Sequence, residues 1–176
     1  MSSELRVDKI IPVDGIPSGG GGGIVQVVQN STSSEVSMTS TTYADTGLNC
    51  TITPKFSTSK ILVIVSQQYR AIRQITQTGG GFQIVRGSTV IQTGPNLNTG
   101  NSPFGIYLVV DGAATNLELY ERYNITYLDT PNTTSATTYK TQMALATTAS
   151  SAQMRAQYQA NGENGASYMT LMEISA

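Results

Sequence analysis

The chain contains no histidine and no tryptophan, and a single cysteine among 176 residues. Without histidine it lacks the commonest general base, the commonest metal ligand and the usual partner of a nucleophilic serine or cysteine. One cysteine excludes an internal disulfide, and Cys50 sits in the alternating segment Leu48-Asn49-Cys50-Thr51-Ile52, as a small buried residue would. Charge is scarce too: Asp, Glu, Lys and Arg make up 12% of the chain, about half of the usual share. Ten basic and eleven acidic residues leave a net charge of -1. No Lys/Arg cluster is present to neutralise phosphates, so nucleic acid is not an expected partner. No apolar run approaches the roughly 18 residues of a membrane helix, and the N-terminus has neither the basic nor the apolar region of a signal peptide. These absences predict a protein made in the cytosol, without membrane insertion. The sequons at Asn30, Asn49, Asn124 and Asn132 follow from abundant Asn and Thr.

What is present begins with an arm. Residues 1–23 carry Glu4, Arg6, Asp8, Lys9, Asp14, Pro12 and Pro17, and end in Gly19, Gly20, Gly21, Gly22 and Gly23. Leu5-Arg6-Val7-Asp8-Lys9-Ile10 alternates apolar and charged, as a short strand with one buried side does, and the prolines after it favour an extended path. Its apolar positions Leu5, Val7, Ile10, Ile11, Val13 and Ile16 are the candidate docking contacts, suited to adding to the sheet edge of a partner. The five glycines are the candidate hinge, with a random-coil reach of about 12 Å.

From residue 24 to 176 the pattern changes to short segments rich in β-branched and aromatic residues, separated by Gly, Asn, Pro and Ser clusters. The segments are Ile24–Gln29, Leu48–Thr53, Lys60–Tyr69, Ile72–Gln77, Phe82–Arg86, Thr89–Thr93, Phe104–Val110, Tyr120–Leu128, Thr137–Ala146, Gln153–Gln159 and Ser167–Ser175. They predict an all-β, antiparallel sandwich or barrel. Lys60 to Val65 is apolar on both faces and reads as a central strand, whereas Ser66-Gln67-Gln68 turns polar and predicts a wet end. Gly87-Ser88 between two strands suits a type II′ hairpin, because glycine accepts the positive φ of its first position. Gly79-Gly80-Gly81 reads as a hairpin loop or bulge, and Asp129 to Ser135 as a longer exposed loop. The one helix-like stretch, Ala113 to Arg122, is weakened by Thr115, Asn116 and alternating leucines, and reads as a turn into a strand.

A search for chemistry returns no catalytic, cofactor-binding or metal-binding residues. Asp111, Glu118, Glu121 and Asp129 match no carboxylate motif and read as exposed loop acids. Gly19–Gly23 lacks the preceding strand, following helix and Lys-Ser/Thr pair of a phosphate cradle. Nine tyrosines offer the materials of a sugar- or protein-binding surface, with Tyr69, Tyr107, Tyr120, Tyr123, Tyr127 and Tyr158 as candidates; strand propensity and core packing account for most of them equally well.

The opening Ser3-Glu4-Leu5-Arg6-Val7-Asp8-Lys9-Ile10-Ile11-Pro12, with its Gly-rich joint, resembles the leader of virion proteins from marine phages, especially those infecting cyanobacteria. Tyr43-Ala44-Asp45-Thr46-Gly47-Leu48 to Pro54, followed by Ser57-Thr58-Ser59-Lys60-Ile61-Leu62-Val63, is similar to the start of their fibre-like β-sandwich domains. Ile84 to Ile91, Tyr127 to Pro131, Thr137 to Lys140 and Tyr168 to Ile174 extend the likeness to the C-terminus. The resemblance implies a jelly-roll-like β-sandwich with an extended N-terminal arm, a homotrimer, and attachment to a phage tail or capsid protein through that arm. It implies a non-enzymatic structural protein of the virion, a short fibre or a capsid decoration protein, with no cofactor. The alternative is a carbohydrate-binding module acting on a host-surface glycan, resting on the tyrosines and the polar loops near Gly94–Pro103 and Asp129–Ala136.

Overall fold

Alternation with a period of two runs through the folded chain. Along Ala44–Ile52 every second residue from Thr46 onward is buried, and Ser167–Ile174 buries Ser167, Met169, Leu171 and Glu173 in the same rhythm. The structure is a computed structural model and describes residues 23–73, 78–93, 106–108, 117–146, 148, 152–160 and 163–175. Among these residues there is no helix. The strands are β1 (Ile24–Thr32), β2 (Val36–Met38), β3 (Ala44–Ile52), β4 (Lys60–Arg73), β5 (Thr78–Arg86), β6 (Thr89–Gln92), β7 (Ile106–Leu108), β8 (Leu117–Asp129), β9 (Thr137–Leu145), β10 (Gln153–Ala156), β11 (Gln159–Ala160), β12 (Glu163–Asn164) and β13 (Ser167–Ile174).

Four antiparallel pairings nest inside one another: β1 with β13, β3 with β9, β4 with β8, and β5 with β6. Outermost strands pair with each other and the innermost two form a hairpin, which is a single ribbon folded over into a jelly roll. One sheet therefore runs β1-β13-β4-β8 and the other β3-β9-β5-β6, with β7 on the free part of the β5 edge. The expected all-β jelly-roll sandwich is what forms. Apolar residues on the two inner faces, among them Leu48, Ile52, Ile61, Val63, Phe82, Ile84, Met143, Leu145, Met169 and Leu171, make the core. Each such side chain contributes about 1.5–3 kcal/mol on burial. Cys50 is buried with them, and burial pushes its thiol up despite backbone hydrogen bonds that favour the thiolate.

The long strand β4 organises the first sheet. Its β8 edge is paired from Ile61 to Arg73, while its other edge is shared by β13 over Lys60–Ser66 and by β10 over Tyr69–Ile72. Strands β10 and β13 are thus one line interrupted at Gln67-Gln68, and residues 157–160 and 163–166 lie off that line, with β11 and β12 pairing with each other. On the far side, β2 pairs with β10 as β1 pairs with β13, so the same interruption recurs.

The break in the line explains a difference from the sequence-based expectation. Instead of ending wet, β4 carries Gln67 at 0% exposure. Its amide lies between the sheets and is fully engaged. Gln67 Oε1 accepts from Thr141 Oγ1 at 2.8 Å and from Thr46 Oγ1 at 3.2 Å, and Nε2 donates to Ser167 Oγ at 2.8 Å. Gln157, also buried, adds its amide: oriented to satisfy its surroundings, the nitrogen donates to the carbonyls of Ser34 and Thr46 and the oxygen accepts from Gln67 and Ser167. A polar run in a strand reads as solvent-facing unless its partners are known, and these partners lie on other strands.

Other expectations are corrected by packing. Segments 60–69 and 72–77 join into the continuous β4 as far as Arg73, with residues 74–77 outside the described residues. Gly79-Gly80-Gly81 lies inside β5 and is buried; a Cβ on Gly80 would overlap Met154 Sδ and the carbonyl oxygen of Ala144. Glu118, Glu121 and Asp129 sit on β8, not in loops, and Asp111 lies outside the described residues. Asp129 is buried, accepting from Arg86 Nη1 at 2.9 and 2.7 Å and from the Tyr139 hydroxyl at 2.7 Å. The hairpin at Gly87 holds: φ is +59° there, and Arg86 pairs with Thr89. The 130–136 connection is a mostly exposed loop, with Asn132 at φ 52°.

Candidate functional site

The outer face of the β1-β13-β4-β8 sheet carries two distinct surfaces at opposite ends of β4. Near its C-terminal end, pairing places Arg70 opposite Tyr120 on β8 and opposite Arg155 on β10. Two guanidinium groups side by side repel. The repulsion is offset by two carboxylates and a ring. Glu118 accepts from Arg70 Nε at 3.1 Å and pairs with its Nη2, and Arg155 Nη1 donates to Glu35 at 2.9 Å. The Tyr158 ring lies 4.3 Å from the Arg70 guanidinium and 5.6 Å from that of Arg155, within cation–π range. Tyr120 packs on Tyr158 with centroids 5.6 Å apart, and its hydroxyl donates to Glu118.

The buried glutamines position this cluster. Gln157 takes φ 51°, which turns the chain out of the sheet. Tyr158 N–H then donates to Gln68 Oε1 at 2.8 Å, and Gln159 N–H reaches Glu35 Oε2 at 3.1 Å. The Tyr120 and Arg70 hydrogen bonds hold the Glu118 carboxyl below the usual carboxylate range, outweighing its slight burial. Burial works against the Arg70 charge, but Glu118 raises its pKa overall. The result is a neutral, internally paired group with Tyr120 half exposed at 50%. It suits stacking and hydrogen bonding to a flat polar partner.

At the N-terminal end of β4 the same face is apolar. Leu128, Leu62, Met172 and Val27 lie opposite one another across β8, β4, β13 and β1. Leu128 and Val27 are 47% and 52% exposed. Ile64 and Ile174 extend this surface, and Ile24 stands at its border, 62% exposed. Gly23 is fixed beside it, its N–H donating to Ser175 Oγ at 3.1 Å and its carbonyl accepting from the Ser175 N–H at 3.0 Å.

Of the residues singled out from sequence, Tyr120 and Tyr158 come together. Tyr69 and Tyr123 instead flank Phe82 in the core, with centroids 5.7 and 5.1 Å away, and Tyr127 packs against the core. The docking contacts Leu5, Val7, Ile10, Ile11, Val13 and Ile16, the hinge glycines Gly19 to Gly22, the Gly94–Pro103 loop and the Tyr107 side chain lie outside the described residues. Arg70, Arg155, Glu118 and Glu35 carry no local signal that would have marked them; only the strand register brings them together. The outward Leu62 and Ile64 did carry one, in the two-faced apolar run of β4.

No protein-family model matches the chain, and no curated protein matches it. Among solved structures, that of infectious bursal disease virus Gx strain aligns with a TM-score of 0.31 and 10% identity, covering 99% of this chain and 48% of that chain. The chain thus spans about half the length of that protein. The likeness is too distant to assign a role to any residue.

Proposed function

We propose that the chain is a non-enzymatic structural protein of a phage virion, a short fibre or capsid decoration protein. In this reading residues 1–23 dock on a tail or capsid protein and the jelly roll stands outward as a knob, assembled as a homotrimer. The observation that carries it is the placement of the two ends. The arm departs from Gly23, tied to Ser175 at the Lys60 end of the sheet, while the Tyr120 cluster lies at the Arg70 end. Ten residues of β4 separate them, about 33 Å of strand. A mount at one end and a contact surface at the other is the geometry of an attached knob. Removing residues 1–23 and offering the purified variant to particles lacking the protein tests this. Attachment is expected to be lost, and undiminished attachment contradicts the docking role.

A second reading, recognition of a neutral host-surface glycan, is favoured by the half-exposed Tyr120 ring beside Tyr158, Glu118 and Arg155. Sugar rings stack on such faces while polar neighbours take their hydroxyls. A glycan array probed with the assembled oligomer is expected to give a selective binder that Tyr120→Ala abolishes. The absence of any binder removes this reading and leaves the first intact.

A further inference from the structure

We infer that the apolar row Val27–Met172–Leu62–Leu128 is a docking surface for the chain's own arm, and that residues Leu5 to Ile10 lie across it. This proposal stands apart from the virion reading, since it concerns the free protein. It starts from a mismatch between sequence and exposure. Ile61 to Val65 is apolar at every position, the pattern of a strand covered on both faces, yet Leu62 and Ile64 point away from the core and are only partly buried. Met172 and Ile174 on β13, and Ile24 and Val27 on β1, repeat the mismatch at the same level of the sheet. Strands that alternate strictly elsewhere, such as β3, put threonine and asparagine outside. A contiguous apolar patch rimmed by Thr126, Thr170 and Gln29 marks an interaction site.

Length and point of departure argue for the arm as its occupant. The row crosses four strands, so three spacings of about 4.8 Å give a length of about 14 Å. About five extended residues cover that distance, which the six of Leu5 to Ile10 supply. That segment alternates Leu5 and Val7 with Arg6 and Asp8, so that one side can face the sheet while the charges face water. The arm leaves from Gly23, next to Ile24 at the border of the patch. The twelve residues between Ile10 and Gly23 extend to about 40 Å, more than the return requires. The glycines before Gly23 accept the reversal without a Cβ penalty. Tethering raises the local concentration of the segment to the order of millimolar, an advantage that a second copy of the chain lacks at ordinary protein concentrations.

A benzophenone amino acid placed at Val7, and in a second variant at Leu5, tests the proposal in the full-length chain. Light- and heavy-isotope copies are mixed, irradiated, and cross-linked peptides are mapped by mass spectrometry. The expected result is cross-linking within one chain to peptides carrying Leu62, Leu128, Met172 or Val27, lost when the exposed Leu128 and Val27 are both changed to Gln. Light–heavy cross-links to the row assign it to another copy and overturn the proposal. Cross-links mainly elsewhere, or none from either position, overturn it as well.

Discussion

Gln67 on β4 and Thr141 on β9 are 74 positions apart in the sequence and joined by a 2.8 Å hydrogen bond through the middle of the apolar core. The bond ties the two sheets at the level where the β10–β13 line is interrupted. Thr46, Ser167 and Gln157 complete the group, and all five residues are fully buried. Replacing Gln67 by Leu keeps the volume but leaves Thr141, Ser167 and Gln157 short of a partner. Each buried polar group left unpaired costs about 1–3 kcal/mol. The variant is expected to lose about 3 kcal/mol in urea unfolding, and Thr141→Val added to it is expected to return part of that loss. A Gln67→Leu variant as stable as the parent contradicts the role given to this network.

Gln157 occupies the left-handed region at φ 51°, where a non-glycine residue costs about 1–2 kcal/mol. Its hydrogen bonds hold it there. Both Gln157→Ala and Gln157→Gly remove those bonds, but only glycine relieves the backbone. The glycine variant is therefore expected to be more stable than the alanine variant by about 1 kcal/mol, with both below the parent. Thermal unfolding of the three proteins gives the order, and an alanine variant equal to or above the glycine one runs against it.

Gly80 faces Met154 and the Ala144 carbonyl oxygen too closely for any side chain. The methionine can move, but the carbonyl belongs to the paired strand β9. Gly80→Ala is expected to destabilise by about 3 kcal/mol through overpacking. Denaturant unfolding measures this, and a neutral substitution shows that β5 and β9 are not in contact as described.

Glu173 is buried, and no cation among the described residues pairs with it. Burial pushes its pKa up, but hydrogen bonds from the Gln26 amide and the backbone N–H groups of Lys55 and Phe56 help to outweigh this and hold it below the usual carboxylate value. A carboxyl lowered in the folded state binds its proton more readily once unfolded. Its contribution is full above the unfolded value of about 4.3 and is lost as pH falls through the folded value. Stability is expected to drop on acidification from about pH 5 to 3, and Glu173→Gln to show a shallower drop from a lower starting point. An identical acid profile in the variant contradicts the assignment.

The fold was legible wherever a residue's neighbours in sequence decide its environment. Alternation marked β3, and Gly87-Ser88 marked its hairpin, because strand faces and turn φ values are local properties. The interruption at Gln67-Gln68 was not legible. Glutamine is read as a surface residue unless Thr46, Thr141, Gln157 and Ser167 are known to converge on it, and that convergence comes from the rolled ribbon. Val36–Met38 was missed for a related reason: three residues show no period, and β2 exists because β10 offers it an edge. The Tyr120 cluster was half legible, in its tyrosines. Arg70 and Arg155 face each other only through the β4–β10 register.

An image reconstruction of the intact particle tests the central claim most directly. It is expected to show the two-sheet jelly roll on the outside, with Gly23 and Ser175 toward the tail or capsid and Tyr120 and Tyr158 outward. Particles that carry no density for this sandwich, or that carry it with the Gly23 end pointing away from the particle, contradict the account.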